Sequence, residues 1–115
     1  MVSREKFEFI REKYGHWTSW AVWADAGETP KSHIGDLSIF DRDGVQDSLN
    51  SEIVLVGLNI SRGDIEYPLA NFHDKRPQAT DYKIRYALKN TLLWGGYMTD
   101  ITSVPTFHNE SAVNN

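Results

Sequence analysis

The chain has 115 residues, a formal net charge of −4 and no cysteine. This length allows one domain with a real core and excludes a second, while the lack of cysteine excludes disulfides, thiolate metal sites and a thiol nucleophile. The acidic balance argues against strong nonspecific binding to nucleic-acid phosphates. The first segment is charged, and no apolar run approaches the roughly 20 residues needed to cross a bilayer, so we expect a soluble, cytoplasmic protein.

The first segment predicts a packing helix from Ser3 to Tyr14. Ser3 is a favourable amino-terminal cap, Phe7, Ile10 and Tyr14 recur near a period of 3.6, and Gly15 is a typical stop.

A strand is predicted next, from Ser19 to Ala24. Its alternation puts Trp20 and Val22 on one face and Ser19, Ala21 and Trp23 on the other. The composition from Asp25 to Gly35 indicates a loop, and Asp36 to Phe40 predicts one short helical turn.

The central strand is predicted from Glu52 to Leu58. Ile53 to Val56 is an uninterrupted apolar run rich in β-branched residues, which is typical of a strand covered on both faces, as in a parallel sheet. The stretch from Ile60 to Ala79 contains two prolines and little periodicity, so we expect a long loop, a feature that is usually functional or disordered.

A second helix is predicted to begin after Thr80 and to end at Gly95 and Gly96, followed by a strand from Gly96 to Ile101. Its apolar stripe comprises Ile84, Ala87, Leu88, Thr91 and Leu92, and Asp81 and Arg85 are spaced for an ion pair. The order strand, helix, strand predicts a right-handed crossover between two parallel neighbours. The fold class is therefore α/β, a small, mostly parallel sheet flanked by helices, in a single domain at 1–101 with a flexible tail at 102–115.

The loop after the central strand is the predicted site. In open α/β sheets ligands bind beyond the carboxyl ends of the strands, and Gly57, Asn59 and Ser61 fall in that zone. Glycine permits a close approach of backbone to ligand, and an asparagine amide both donates and accepts hydrogen bonds. The alternative interpretation is an ordinary polar loop after a strand.

The segment Val54 to Ser61 (Val-Leu-Val-Gly-Leu-Asn-Ile-Ser) resembles the first motif of the uracil-DNA glycosylase superfamily, whose mismatch-specific branch has Gly-x-Asn-Pro-Gly or Gly-x-Asn-Pro-Ser after a strand. The triplet Asn71-Phe72-His73 falls where that superfamily places an aromatic residue that stacks on the extruded base. The segment from Gly96 to Ile101 is similar to its second strand, which often ends in Thr-Asn or Thr-Asp. The resemblance covers the amino-terminal half of that fold, Glu52 to Ile101.

The resemblance implies a role for each matching residue. Asn59 would orient the water that attacks the anomeric carbon, and Phe72 would stack on the base. Gly57, Ser61 and His73 would complete the base-binding pocket. It implies DNA, a nucleobase or a nucleoside as ligand, because an oxocarbenium-like centre needs a placed water and a flipped base needs an aromatic platform.

The chain also departs from the family pattern. Ile60 stands where the motif has a proline, which removes a constraint on the loop. The family's later His-Pro-Ser motif has no counterpart, since His108 lies in Thr-Phe-His-Asn-Glu. We therefore expect a pocket with weak or lost N-glycosidic hydrolase activity.

Other interpretations of the same residues stay open. Phe72 is also a candidate plug beneath the long loop, and His73 with Asp74 could form an oriented general base or a solvated loop pair. The tryptophans Trp17, Trp20 and Trp23 could stack on bases, but without basic residues between them core or interface packing is favoured. The four histidines lack metal-ligand spacing, so we expect no metal and no cofactor.

A sheet with few strands leaves an unpaired edge, which favours pairing with another chain. We therefore expect a homo-oligomer or a protein partner. Two functional hypotheses follow from the sequence: a nucleobase-site protein of the glycosylase type, and a non-enzymatic interaction module that pairs through its sheet edge.

Overall fold

The computed structural model describes residues 1–57 and 65–100. The predicted tail at 102–115 lies outside the described residues, as do Leu58 and Ile101, the last residues of two predicted strands. The elements are α1 (Arg4–Tyr14), β1 (Ser19–Trp20), two 3-10 turns (Leu37–Asp41 and Val45–Ser48), β2 (Asn50–Gly57), α2 (Asp81–Leu88) and β3 (Gly96–Asp100). In the described ranges no helix is both long enough and apolar enough to cross a bilayer.

The sheet of the described residues is three-stranded and mixed, with the order β1-β3-β2. β2 and β3 are parallel neighbours, as predicted, and Val54 pairs with Tyr97 and Gly57 with Asp100. β1 pairs antiparallel with β3. The prediction of a mostly parallel sheet is therefore not confirmed, since one of the two described strand pairs is parallel and the other is antiparallel.

The alternation predicted around β1 is confirmed. Trp20 and Val22 belong to the cluster that contains Phe7 of α1, while Ala21 and Trp23 belong to the cluster against which α2 packs. Tyr97 packs against the first cluster and Met98 belongs to the second, so these consecutive residues of β3 place the two clusters on opposite faces of that strand. The regular strand is shorter than predicted, although the amide of Ala21 still donates to the Gly96 carbonyl at 2.8 Å.

Both helices begin where their sequences predict. The Ser3 hydroxyl accepts from the Lys6 amide at 3.0 Å, and Gly15 closes α1. α2 ends at Leu88, earlier than predicted, because Asn90 adopts a left-handed φ of 65° and stops the helix before the Thr91–Leu92 part of the stripe.

The expectation that β2 is covered on both faces is wrong. β2 is the edge strand of the described sheet, and its side chains alternate in exposure, with Val54 at 53% and Val56 at 58%. The apolar run therefore reflects β propensity rather than burial on both sides.

Candidate functional site

The carboxyl ends of β2 and β3 meet at Gly57 and Asp100, which are partners in the parallel register. A Cβ on Gly57 would lie 2.6 Å from Asp100 Oδ1 and 3.6 Å from Phe72 Cε1. The glycine is therefore required by the close approach of a carboxyl oxygen, not by an unusual φ. This contact brings together three residues that are far apart in the sequence.

Asp100 is a buried carboxyl group, 5% exposed. Its Oδ2 accepts a hydrogen bond from Asn71 Nδ2 at 3.1 Å, and the same amide nitrogen donates to the Trp17 carbonyl at 2.8 Å. Burial raises the pKa of Asp100, the charge of Asp81 adds to the rise, and the Asn71 hydrogen bond opposes it. Oδ1 faces Gly57, which places a hydrogen-bonding oxygen at the end of the parallel pair.

Phe72 is held in a strained conformation beside this carboxyl group. Its φ is 70°, a left-handed value that costs a bulky residue about 1–3 kcal/mol. Two hydrogen bonds hold the peptide there: the Phe72 amide donates to Asn71 Oδ1 at 3.1 Å, and Trp23 Nε1 donates to the Phe72 carbonyl at 3.0 Å. The ring is partly buried against the α2-side cluster, and one of its edge carbons reaches Gly57.

His73 lies in the core, 3% exposed. Its ring stacks on Trp23 with centroids 5.2 Å apart and meets Phe40 edge-on at 5.4 Å. Nε2 lies 2.9 Å from the Val22 carbonyl and Nδ1 lies 3.0 Å from the Asn71 carbonyl. Burial lowers the pKa of His73, against the effect of the two carbonyl groups. The neutral ring has a single N–H, so it donates to one of the two carbonyl groups, and its contact with Val22 joins the residue 71–73 turn to the chain after β1.

His73 and Asp74 form neither a solvated loop pair nor an oriented general base, because both are buried and they face different partners. Asp74 is 6% exposed, and its carboxylate accepts from Arg76 Nε at 3.0 Å and from Arg76 Nη2 at 2.7 Å. The two side chains of this sequence pair therefore face different partners, a core carbonyl for one and a guanidinium for the other.

Two of the predicted site residues, Asn59 and Ser61, lie outside the described residues. Of the other three, Gly57 and Phe72 are brought together, and His73 is directed into the core. The favoured interpretation of the tryptophans is confirmed for Trp20 and Trp23, which are 0% and 2% exposed.

Asp100 and Asn71 are site residues that the sequence did not single out. A signal for Asp100 exists, because it is the last residue of the strand predicted to be parallel to β2, and the ends of such strands share one edge of the sheet. Asn71 carries no comparable signal, since its contact with Asp100 spans 29 residues and depends on the path of the long loop.

The chain was compared with protein-family models, curated proteins and solved structures, and none of the three comparisons gives a match. The site contains one aromatic ring, one buried carboxyl group and one amide. This set suits a flat polar ligand that stacks on the ring and hydrogen-bonds at its edge.

We expect Gly57→Ala to destabilise the fold by about 1–3 kcal/mol, because its Cβ would overlap the Asp100 carboxyl group. Urea unfolding measures the change. In the background of Asp100→Ala the same substitution should cost less, with a coupling of at least ~0.5 kcal/mol in the double-mutant cycle. Additive effects would mean that the two residues do not meet as described.

We expect acidification to destabilise the chain through His73. Its folded pKa is lowered from 6.5, so as the pH falls below about 6.5 the unfolded state binds a proton that the folded state does not, and stability is lost until the folded pKa is reached. His73→Gln should flatten this part of the profile when unfolding free energies are measured from pH 8 to pH 5.

The matched control is His16→Gln, at an exposed histidine, and its stability profile should be the same as that of the parent. Asp100 acts in the opposite sense, because its raised pKa makes the folded chain bind a proton more tightly than the unfolded chain. The His73 contribution is therefore the difference between parent and variant. An identical slope in both would contradict the assignment of a buried neutral ring.

Proposed function

We propose that the carboxyl ends of β2 and β3 form a nucleobase-binding pocket of the uracil-DNA glycosylase type, in which N-glycosidic hydrolysis is weak or lost. The observation that supports this proposal is the meeting of Gly57, Phe72 and Asp100 at the end of a parallel strand pair. A base of DNA, a free nucleobase or a nucleoside offers the flat ring and polar edge that these groups would bind.

Each group in the pocket has a distinct role in the proposal. Phe72 is the stacking platform, and its imposed φ of 70° is consistent with a ring held ready before the ligand arrives. Asp100 hydrogen-bonds the edge of the base through Oδ1. Its raised pKa extends to higher pH the range in which the carboxyl group is protonated and can also donate a hydrogen bond. Gly57 leaves room for the Asp100 carboxyl group, since a Cβ there would lie 2.6 Å from Oδ1.

The residues after Gly57 enter the proposal through the sequence alone. Asn59 would place the water that attacks the anomeric carbon, and Ser61 would contact the base. We assign His73 to holding the turn that carries Phe72, because both of its ring nitrogens face backbone carbonyl groups. Weak or lost activity fits Ile60 in place of the motif's proline, which leaves the water-placing loop less constrained.

The relation to the glycosylase fold is part of the same proposal. Parallel pairing of β2 with β3, connected through the long loop and α2, supports it. The antiparallel β1 and the α1 layer would then be additions to the amino-terminal half of that fold.

Binding and cleavage assays test the proposal. We expect the parent chain to bind uracil or hypoxanthine, free or in DNA, and Phe72→Leu to weaken binding about 5- to 150-fold, the range that base stacking on an aromatic ring contributes. Tyr67→Leu, at an aromatic residue that is 61% exposed in the same loop, is the matched control. Any cleavage of uracil-, hypoxanthine- or mismatch-containing DNA should disappear in Asn59→Ala. A parent chain that neither binds nor cleaves these ligands would remove the proposal.

A second candidate function is favoured by the edge position of β2. Val54 and Val56 are exposed on a strand whose outer side has no partner strand among the described residues. Such an edge suits a non-enzymatic interaction module that adds a strand from a second copy of the chain.

Light scattering after size-exclusion chromatography tests this candidate. We expect a dimer for the parent chain and a monomer for Val54→Lys, because a lysine on the exposed face of an edge strand opposes pairing. The control is Glu66→Lys, at an exposed position in the long loop, which changes the net charge more than Val54→Lys does. This variant should remain dimeric. A clean monomer of the parent at high concentration would eliminate the edge-pairing function.

A further inference from the structure

Two clefts lie at the carboxyl end of α2 and share two lining residues. Their volumes are about 470 and 460 Å³, and Lys89 and Asn90 line both. We name this surface the Lys89 groove. The first cleft is bordered by Trp94 and Arg42, and the second by Tyr86. Trp94 lies two residues before β3, whereas Asp100 ends that strand, so the groove and the proposed base site lie at opposite ends of about 13 Å of strand.

The charge of the groove is opposite to that of the whole chain. Among the described residues, the charged side chains that line it are Arg42, Arg85 and Lys89 and one carboxylate, Asp25, although the formal net charge of the chain is −4. Asp25 is bound to Lys89, with Oδ1 2.8 Å from Nζ, and its side chain is 86% exposed. A local cationic surface on an acidic protein concentrates a polyanion at one place rather than over the whole surface.

Buried Arg85 gives this cationic surface a fixed component. Its side chain is 4% exposed and donates to two backbone carbonyl groups, from Nη1 to Ala24 at 2.8 Å and from Nη2 to Pro30 at 2.6 Å. These acceptors carry no formal charge, so they do not neutralise the positive charge of the guanidinium beneath the groove.

Aromatic rings line the groove together with the cations. Lys89 Nζ lies 5.9 Å from the centroid of the Trp94 ring, and Lys31 Nζ lies 5.2 Å from that of Tyr82, which lines the second cleft. Tyr86 is 86% exposed, so its ring is accessible for stacking. Proteins bind single-stranded nucleic acid with aromatic rings that stack on the bases and cations that bind the phosphates, and this groove contains both.

We propose that the Lys89 groove binds single-stranded nucleic acid, with bases stacked on Tyr86 and Trp94 and phosphates bound by Arg42 and Lys89. A duplex presents its phosphates but keeps its bases stacked inside, so it would use the cations and not the rings. This site is independent of the proposed base pocket, since the two share none of the residues named for either.

The test measures fluorescence anisotropy of a labelled 12-nucleotide oligothymidine and of a 12-base-pair duplex, using the full chain. We expect the single strand to bind more tightly than the duplex and to quench tryptophan fluorescence. Tyr86→Ala should weaken single-strand binding about 5- to 150-fold. Arg42→Ala and Lys89→Ala should each weaken it and each reduce the slope of log affinity against log salt by about 0.7.

Two matched controls lie outside the groove: Lys83→Ala, on the exposed face of α2, and Tyr67→Ala, at an exposed tyrosine. Both should bind like the parent. No binding by the parent, equal affinity for duplex and single strand, or equal loss in groove and control variants would each overturn the proposal. The groove substitutions are at exposed positions, and circular dichroism verifies that the fold is retained.

Discussion

The close approach of Gly57 to Asp100 is the constraint on which the candidate site depends. Parallel pairing of β2 with β3 puts the two residues side by side, and only a residue without a Cβ leaves room for the carboxyl group between them. The carboxyl group is then buried against the sheet and linked through Asn71 to the chain after α1. One missing methyl group thus allows a polar group to occupy the end of an otherwise apolar strand pair.

The second organising feature is the use of backbone carbonyl groups as acceptors for buried side chains. Side-chain nitrogens of His73, Trp23 and Arg85 lie at hydrogen-bonding distance from carbonyl oxygens of distant segments. Each of these bonds joins residues about 50 to 60 positions apart, and together they tie the loop after β2 and helix α2 to the segment after β1. Because the short sheet buries little by itself, such bonds account for how so much irregular chain is ordered in a small domain, and for how Phe72 is held in a strained conformation.

The two proposed nucleic-acid surfaces differ in physical character. The pocket at Gly57 and Asp100 is built from buried groups with few conformations, which suits recognition of a single base. The Lys89 groove is built from long, exposed side chains and rings, which suits attraction and sequence-tolerant stacking. Their positions at the two ends of β3 follow from the sheet, since each end of the central strand collects the loops that flank it.

Local features of this protein were determined by the sequence itself. The Ser3 cap, the start of α2 after Thr80, the alternation around Trp20 and the parallel pairing of β2 with β3 all follow from short-range propensity and periodicity, which act within a few residues. The apolar run that predicts β2 also marks its end near Gly57 for the same reason. Only the tertiary structure decided that β2 is an edge strand of the described sheet and that α2 stops at Leu88. It also decided that Asp100 joins Gly57 and Phe72, and that His73 turns into the core. Those outcomes depend on contacts between residues tens of positions apart, whose energies no local pattern records.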